Sequence, residues 1–248
     1  MSKIRTHYFY ATVFTVVLFT ISISIFSLYN EFSYNLSTCM PHKCFCEIIN
    51  YQSSIKQLSN TLSSFSFVYL GFLIIFQNSS RRLFQVFGIF IIAIGFGSSF
   101  FHATLSMLGQ SFDLAGIYLL SSFIFLYALY RLYDLSIGET IILMVIINFV
   151  LDIGLIYAPE LRRYLVVFFV VLGILSELFY LKNKKVEINI KWIKYSIFSI
   201  ISAFLIWILD IKKILCYPQS IFQGHALWHL LSMLSIYFLY LYYRSEKN

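Results

Sequence analysis

Charge is scarce in this sequence. Only 12% of its residues are Asp, Glu, Lys or Arg, about half the share found in an ordinary soluble domain, which excludes a water-soluble globular fold. Proline occurs 3 times and glycine 10 times in 248 residues, so the apolar tracts read as long helices rather than hairpins. A membrane barrel would instead alternate apolar and polar positions in segments of about ten residues. There is no low-complexity linker, and no loop is long enough to hold a separate soluble domain.

What the chain has in excess is apolar surface. Hydrophobic residues make up 60% of it and aromatic residues 20%, with a mean hydropathy of +0.81. A helix needs about twenty mostly apolar residues to cross the hydrocarbon layer. Eight stretches qualify, at 8–29, 58–77, 83–106, 113–132, 138–157, 162–181, 192–211 and 223–243. The expected fold is therefore an all-α polytopic membrane helix bundle.

The net charge of +7 does not indicate a nucleic-acid partner, because the basic residues lie in short groups between apolar tracts, where they act as topology signals. With the N-terminus inside, the inner face receives Lys3, Arg5, Arg81, Arg82, Arg131, Lys182, Lys184, Lys185, Lys191, Lys194, Arg244 and Lys247. The outer face receives Lys43, Lys56, Arg162, Arg163, Lys212 and Lys213. Twelve against six predicts both termini in the cytoplasm and an even number of spans. The first tract, with its basic start, has a competing reading as a signal peptide. Its run from Tyr8 to Tyr29 exceeds the usual signal core of about 7–15 residues, so a retained anchor is expected.

Cys39, Cys44 and Cys46 precede the second tract and Cys216 precedes the eighth, all on the face predicted to be outer. Disulfides or a thiolate zinc cluster both fit, and the sequence does not assign a pairing.

Ionisable groups inside a membrane are costly and mark function. His102 in GSSFFHATL and His225 with His229 in QGHALWHLL fall near the outer ends of apolar tracts. A spacing of four stacks His225 and His229 on one helix face, as two imidazoles gripping one metal require. The glutamate of an H-E-x-x-H motif is missing, since Ala226 stands there, so a general base must come from elsewhere. His102 is expected at the same depth, and three imidazoles plus water form an open zinc site of the catalytic kind. Ser98 precedes His102 by four residues, and Asp113 follows across SMLGQSF, a predicted turn, at the start of the fourth helix. Taken singly, Ser98 is explained by a bond to a helix carbonyl and Asp113 by capping. Their convergence on one depth is what points to a site.

Ser98, His102, Asp113 and QGHALWHLL, with CFCE at 44–47, QLSNTLSSFSFVYLGF at 57–72 and WILDIKKILCYP at 207–218, together resemble the alkaline ceramidase family of the intramembrane hydrolase superfamily that includes the adiponectin and progestin receptors. The likeness covers nearly everything after residue 40 and is greater to the branch typical of bacteria than to the animal enzymes. It implies a seven-helix core, here 36–248, with residues 1–35 an added N-terminal transmembrane anchor. It implies zinc on His102, His225 and His229, catalytic roles for Ser98 and Asp113, and a Cys46–Cys216 disulfide. The substrate would be ceramide or a related N-acyl lipid of sphingolipid metabolism, hydrolysed near the non-cytoplasmic face. Asp210 is a candidate acceptor for the outward nitrogen of a ligand histidine. Animal members carry an acidic calcium cluster; this chain offers Glu47 and Asn50, but Gln57 stands where a carboxylate is expected, so zinc alone is expected. Rival readings are an acyl-ester lipid hydrolase, a receptor or lipid-binding protein with structural zinc, and a haem carrier.

Overall fold

The computed structural model describes residues 2–32, 35–40, 44–184 and 186–246; Lys43, Lys185 and Lys247 of the charge count lie outside the described residues. Eight α-helices follow one another: α1 (Ser2–Phe32), α2 (Leu58–Gln77), α3 (Arg82–Thr104), α4 (Met107–Tyr133), α5 (Ile137–Tyr157), α6 (Arg162–Asn183), α7 (Ile190–Ile211) and α8 (Gly224–Ser245). All eight are long and apolar enough to cross a membrane. Apolar side chains also cover the outside: Val16 and Val17 on α1 and Val145, Phe149 and Val150 on α5 are each more than half exposed. A belt of this kind is tolerated only where lipid covers it.

The helices α7, α8, α2, α3, α4 and α6 pack in that order into a ring, with α1 against α2 and α3 and α5 against α4. Between α6 and α7 the backbones stay apart, so the ring has a seam. The Arg163 guanidinium spans it near one end, 5.8 Å from the centre of the Trp207 indole ring. Alternation of direction brings the start of α2, the end of α3, the start of α4, the end of α7 and the start of α8 to one end of the bundle. Residues 35–40 and 44–57 cross that end as a strap.

One boundary differs from the sequence expectation. The SMLGQSF segment is helical, and α4 begins at Met107 because Ser106 caps it by accepting the Gly109 amide at 3.0 Å. The link from α3 is a single left-handed residue, Leu105 (φ 51°). That conformation costs a non-glycine residue roughly 1–2 kcal/mol, offset by burial of Leu105 among Cys39, Cys44, Phe45 and Phe101. Asp113 therefore sits two turns inside α4, where it cannot cap. Gly97 brings it close to α3: a Cβ there would lie 2.5 Å from the Phe112 carbonyl oxygen and 2.9 Å from the Asp113 amide nitrogen.

At the opposite end a buried ion cluster ties α4, α6 and the residue after α8. Arg131, counted above as a loop charge, is 8% exposed; it pairs with Glu177 and with Glu246, the latter at 3.0 Å. The rings of Tyr180 and Tyr127 flank its guanidinium at 4.1 and 4.2 Å, and Tyr243 donates to Glu177 at 2.8 Å. Breaking a buried pair leaves an uncompensated charge, at a cost of about 3–5 kcal/mol. Arg131→Ala is expected to lower the thermal unfolding midpoint in detergent sharply, and Arg131→Met combined with Glu177→Leu to recover most of that loss. Equal midpoints for Arg131→Ala and wild type would contradict this role.

Candidate metal centre

The ring centres of His225 and His229 are 4.6 Å apart, those of His102 and His225 4.9 Å, and those of His102 and His229 5.2 Å. One ligand atom from each lies within 4.8 Å of the others, and all three residues are buried. Among the described residues this is the one group of three or more His, Cys, Asp or Glu whose ligand atoms converge in this way.

Neighbouring side chains fix two of the imidazoles. Gln57 is fully buried; its Nε2 donates to the Glu47 carbonyl at 3.2 Å, so its Oε1 is the atom left to accept. That oxygen is 2.9 Å from His102 Nδ1, which must then carry the proton, leaving the Nε2 lone pair free. His229 Nδ1 lies 2.7 Å from Ser63 Oγ, and its Nε2 faces Ser98 Oγ at 3.3 Å. His102 Nε2 and His225 Nδ1 are buried without a hydrogen-bond partner. Unpaired polar atoms inside a protein are costly, and two imidazole nitrogens left without partners in one cluster fit a soft-to-borderline cation such as zinc.

Ser98 and Asp113 line one cavity with His225 and His229; Ser64 Oγ lies 3.1 Å from Ser98 Oγ. Asp210 takes a different part from the one expected. Its two oxygens accept backbone amides, from His225 at 3.1 Å and from Cys46 at 3.1 Å, rather than a ring nitrogen. Gly224 admits it, since a Cβ there would meet Asp210 Oδ1 at 2.9 Å. Asp210 thus caps α8 from another helix and ties it to the strap. The residues that engage a ring nitrogen are Gln57 on His102 and Ser63 on His229.

Glu47 caps α2 in the same way, with its oxygens on the Ser59 and Asn60 amides at 2.7 and 2.9 Å. Burial raises its pKa while the two amides pull it down. Asn50 accepts the amides of Gln52 and Ser53 at 3.2 Å each, so both residues of the weak calcium reading serve as backbone acceptors. Cys46 is bonded to Cys216, and Cys39 to Cys44, a second bridge that neither spacing nor resemblance indicated.

An apolar cavity of about 210 Å³ opens from His225, His229, Ser98 and Asp113 and runs between α4, α6, α7 and α8 to Glu177. A family model described as Ceramidase matches residues 41–245. Comparison with curated proteins gives no match.

Gln57 caps α2 through its backbone alone, so its side chain can be tested as an orienting partner. Loss of such a partner typically lowers metal affinity by about 10–100-fold. Gln57→Leu is expected to weaken zinc by that factor in competition with a chromophoric chelator, and unchanged affinity would show that the His102 contact is dispensable.

Proposed function

The chain belongs to the ceramidase family, and from this premise we propose that it hydrolyses the amide bond of ceramide or a related N-acyl lipid, with zinc held by His102, His225 and His229. The observation that carries the proposal is the meeting of three buried imidazoles beside an apolar cavity that Ser98 and Asp113 line together with His225 and His229. Zinc in that position would polarise an amide carbonyl and make water nucleophilic near neutral pH, at a water pKa of about 7.

The chain's own groups do the rest. Asp113 takes the proton from the attacking water and returns it to the departing amine, so that amide and water become fatty acid and free amine. Ser98, whose hydroxyl lies 3.3 Å from His229 Nε2, donates to the oxygen that gains negative charge. From Asp113 to Ile124 the cavity follows α4 for roughly 16 Å at 1.5 Å per residue. That is about half the ~30 Å hydrocarbon core, the depth one leaflet's acyl chain fills. The seam between α6 and α7 provides lateral access from the bilayer.

We assign both termini to the cytoplasm and the strapped end to the opposite face. Two disulfides at the strapped end fit an oxidising compartment there. Helix α1 lies outside the matched residues and is assigned as an added anchor.

Purified protein assayed for metal and for fatty-acid release from N-acyl and O-acyl lipids tests the reading. Asp113→Asn is expected to cut release by about a hundredfold to ten-thousandfold at wild-type zinc content. His225→Ala and His229→Ala are expected to lose zinc and release together. Full zinc content in both histidine variants, or ester cleavage with no amide cleavage in the wild type, would overturn it.

A further inference from the structure

Phe45 holds an unusual place. It lines the apolar cavity that leads from the histidines and also a second hollow at the strapped end, bordered by Tyr51, Lys213, Tyr217 and Gln219, and it is the one residue that both share. Its ring stacks on His225 at a centroid distance of 3.8 Å and lies 5.0 Å from His102. The ring covers the imidazoles, and the same residue borders the basin.

The backbone beside the ring is fastened in both directions. Cys44 is bonded to Cys39 and Cys46 to Cys216. The Cys39 side is anchored to the α3–α4 link by Thr38, whose amide donates to Gln110 Oε1 at 3.0 Å, and by the Ser37 amide on the Leu105 carbonyl at 3.0 Å. The Cys46 side is anchored to the α7–α8 link by the Cys46 amide on Asp210 and the Ile48 amide on the Pro218 carbonyl at 3.0 Å. These two links carry the helix ends that bear His102 and His225. A large apolar ring is thereby set between a basin and a polar centre, with little freedom to move.

We propose that Phe45 is the partition between the basin and the histidine centre, that water reaches the centre from the basin past this ring, and that the flanking disulfides limit how far it swings. The water route is then separate from the lipid route between α6 and α7. The inference deepens the hydrolase reading, because a hydrolase needs a supply of water that does not pass through lipid. A hydrophobic partition keeps that supply to small uncharged molecules and holds back charged solutes.

Two measurements on the purified full chain test it. In metal-free protein, radiolytic hydroxyl-radical labelling of His225, read by peptide mass spectrometry, reports water beside the ring. In zinc-loaded protein, the rate at which a charged aminocarboxylate chelator removes the ion reports passage of a larger polar solute. Phe45→Ala is expected to raise both by roughly tenfold, the factor corresponding to loss of an aromatic stacking contact. Phe45→Trp is expected to stay near wild type. Reduction of wild-type protein with a phosphine is expected to raise His225 labelling, which provides a test should Phe45→Ala not fold. Labelling of His225 that is the same in Phe45→Ala as in wild type overturns the partition, and labelling unchanged by reduction overturns the bracing. The labelling arm needs no metal, so it decides the partition independently of whether the histidines bind one.

Discussion

The hydrocarbon layer offers no bulk water to complete the hydrogen bonds of a polar group, so a bundle that crosses it pairs most such groups within the protein. That constraint organises the histidine end. Glu47 takes the free amides of α2, Gln57 takes a His102 nitrogen, and Asp210 takes the amides of His225 and Cys46. These pairings run from the strap through α2 and α3 to α7 and α8. The positions of the imidazoles are therefore set largely by residues that are not ligands. Several buried polar atoms break the rule, Asn60 Oδ1 and Glu177 Oε2 among them, and the two that lie together are the ring nitrogens of His102 and His225, where a cation is what would complete them.

The far end meets the same constraint with charge rather than amide caps. Arg131 pairs with two carboxylates and lies against tyrosine rings, fastening α4, α6 and the end of α8. Between the two fastened ends the interior is left largely to apolar side chains. The bundle thus separates its polar work into two layers with a lipid-like space between them, an arrangement suited to a substrate with one reactive polar bond and a long chain.

The histidines were legible in the sequence because an ionisable residue inside an apolar tract has few structural explanations, and the eight tracts were legible from length alone. The same rule applies to Glu177 in ILSELF, yet its partner Arg131 reads as an ordinary loop charge until the structure buries it. The start of α4 was missed because Gly109 and Gln110 look like turn residues. Gly109 is instead where α4 presses on α3, with space for no Cβ beside the Phe101 Cα at 2.8 Å. Gln57 carries no charge to draw notice, and Phe45 is one of 27 phenylalanines. What singles out both is which neighbours a distant part of the chain delivers, and no local pattern encodes that. Asp210 showed the right chemistry, an acceptor beside His225, but not that the backbone would take it.

The open seam has a mechanical meaning. Helix α6 is fastened to α4 and α8 by the ion cluster at its last turns, while the strapped-end tip of α7 is followed closely by Cys216, which is stapled to the strap. The two walls of the seam are therefore pinned at diagonally opposite corners, like the blades of shears. The three imidazoles ride on α3 and α8, and α8 is joined to the α7 wall by Asp210 on the His225 amide and by the Ser196–Ser235 hydroxyl pair. The α7 edge of the seam and His225 thus form one mechanical unit, and a force on that edge is passed to the imidazoles.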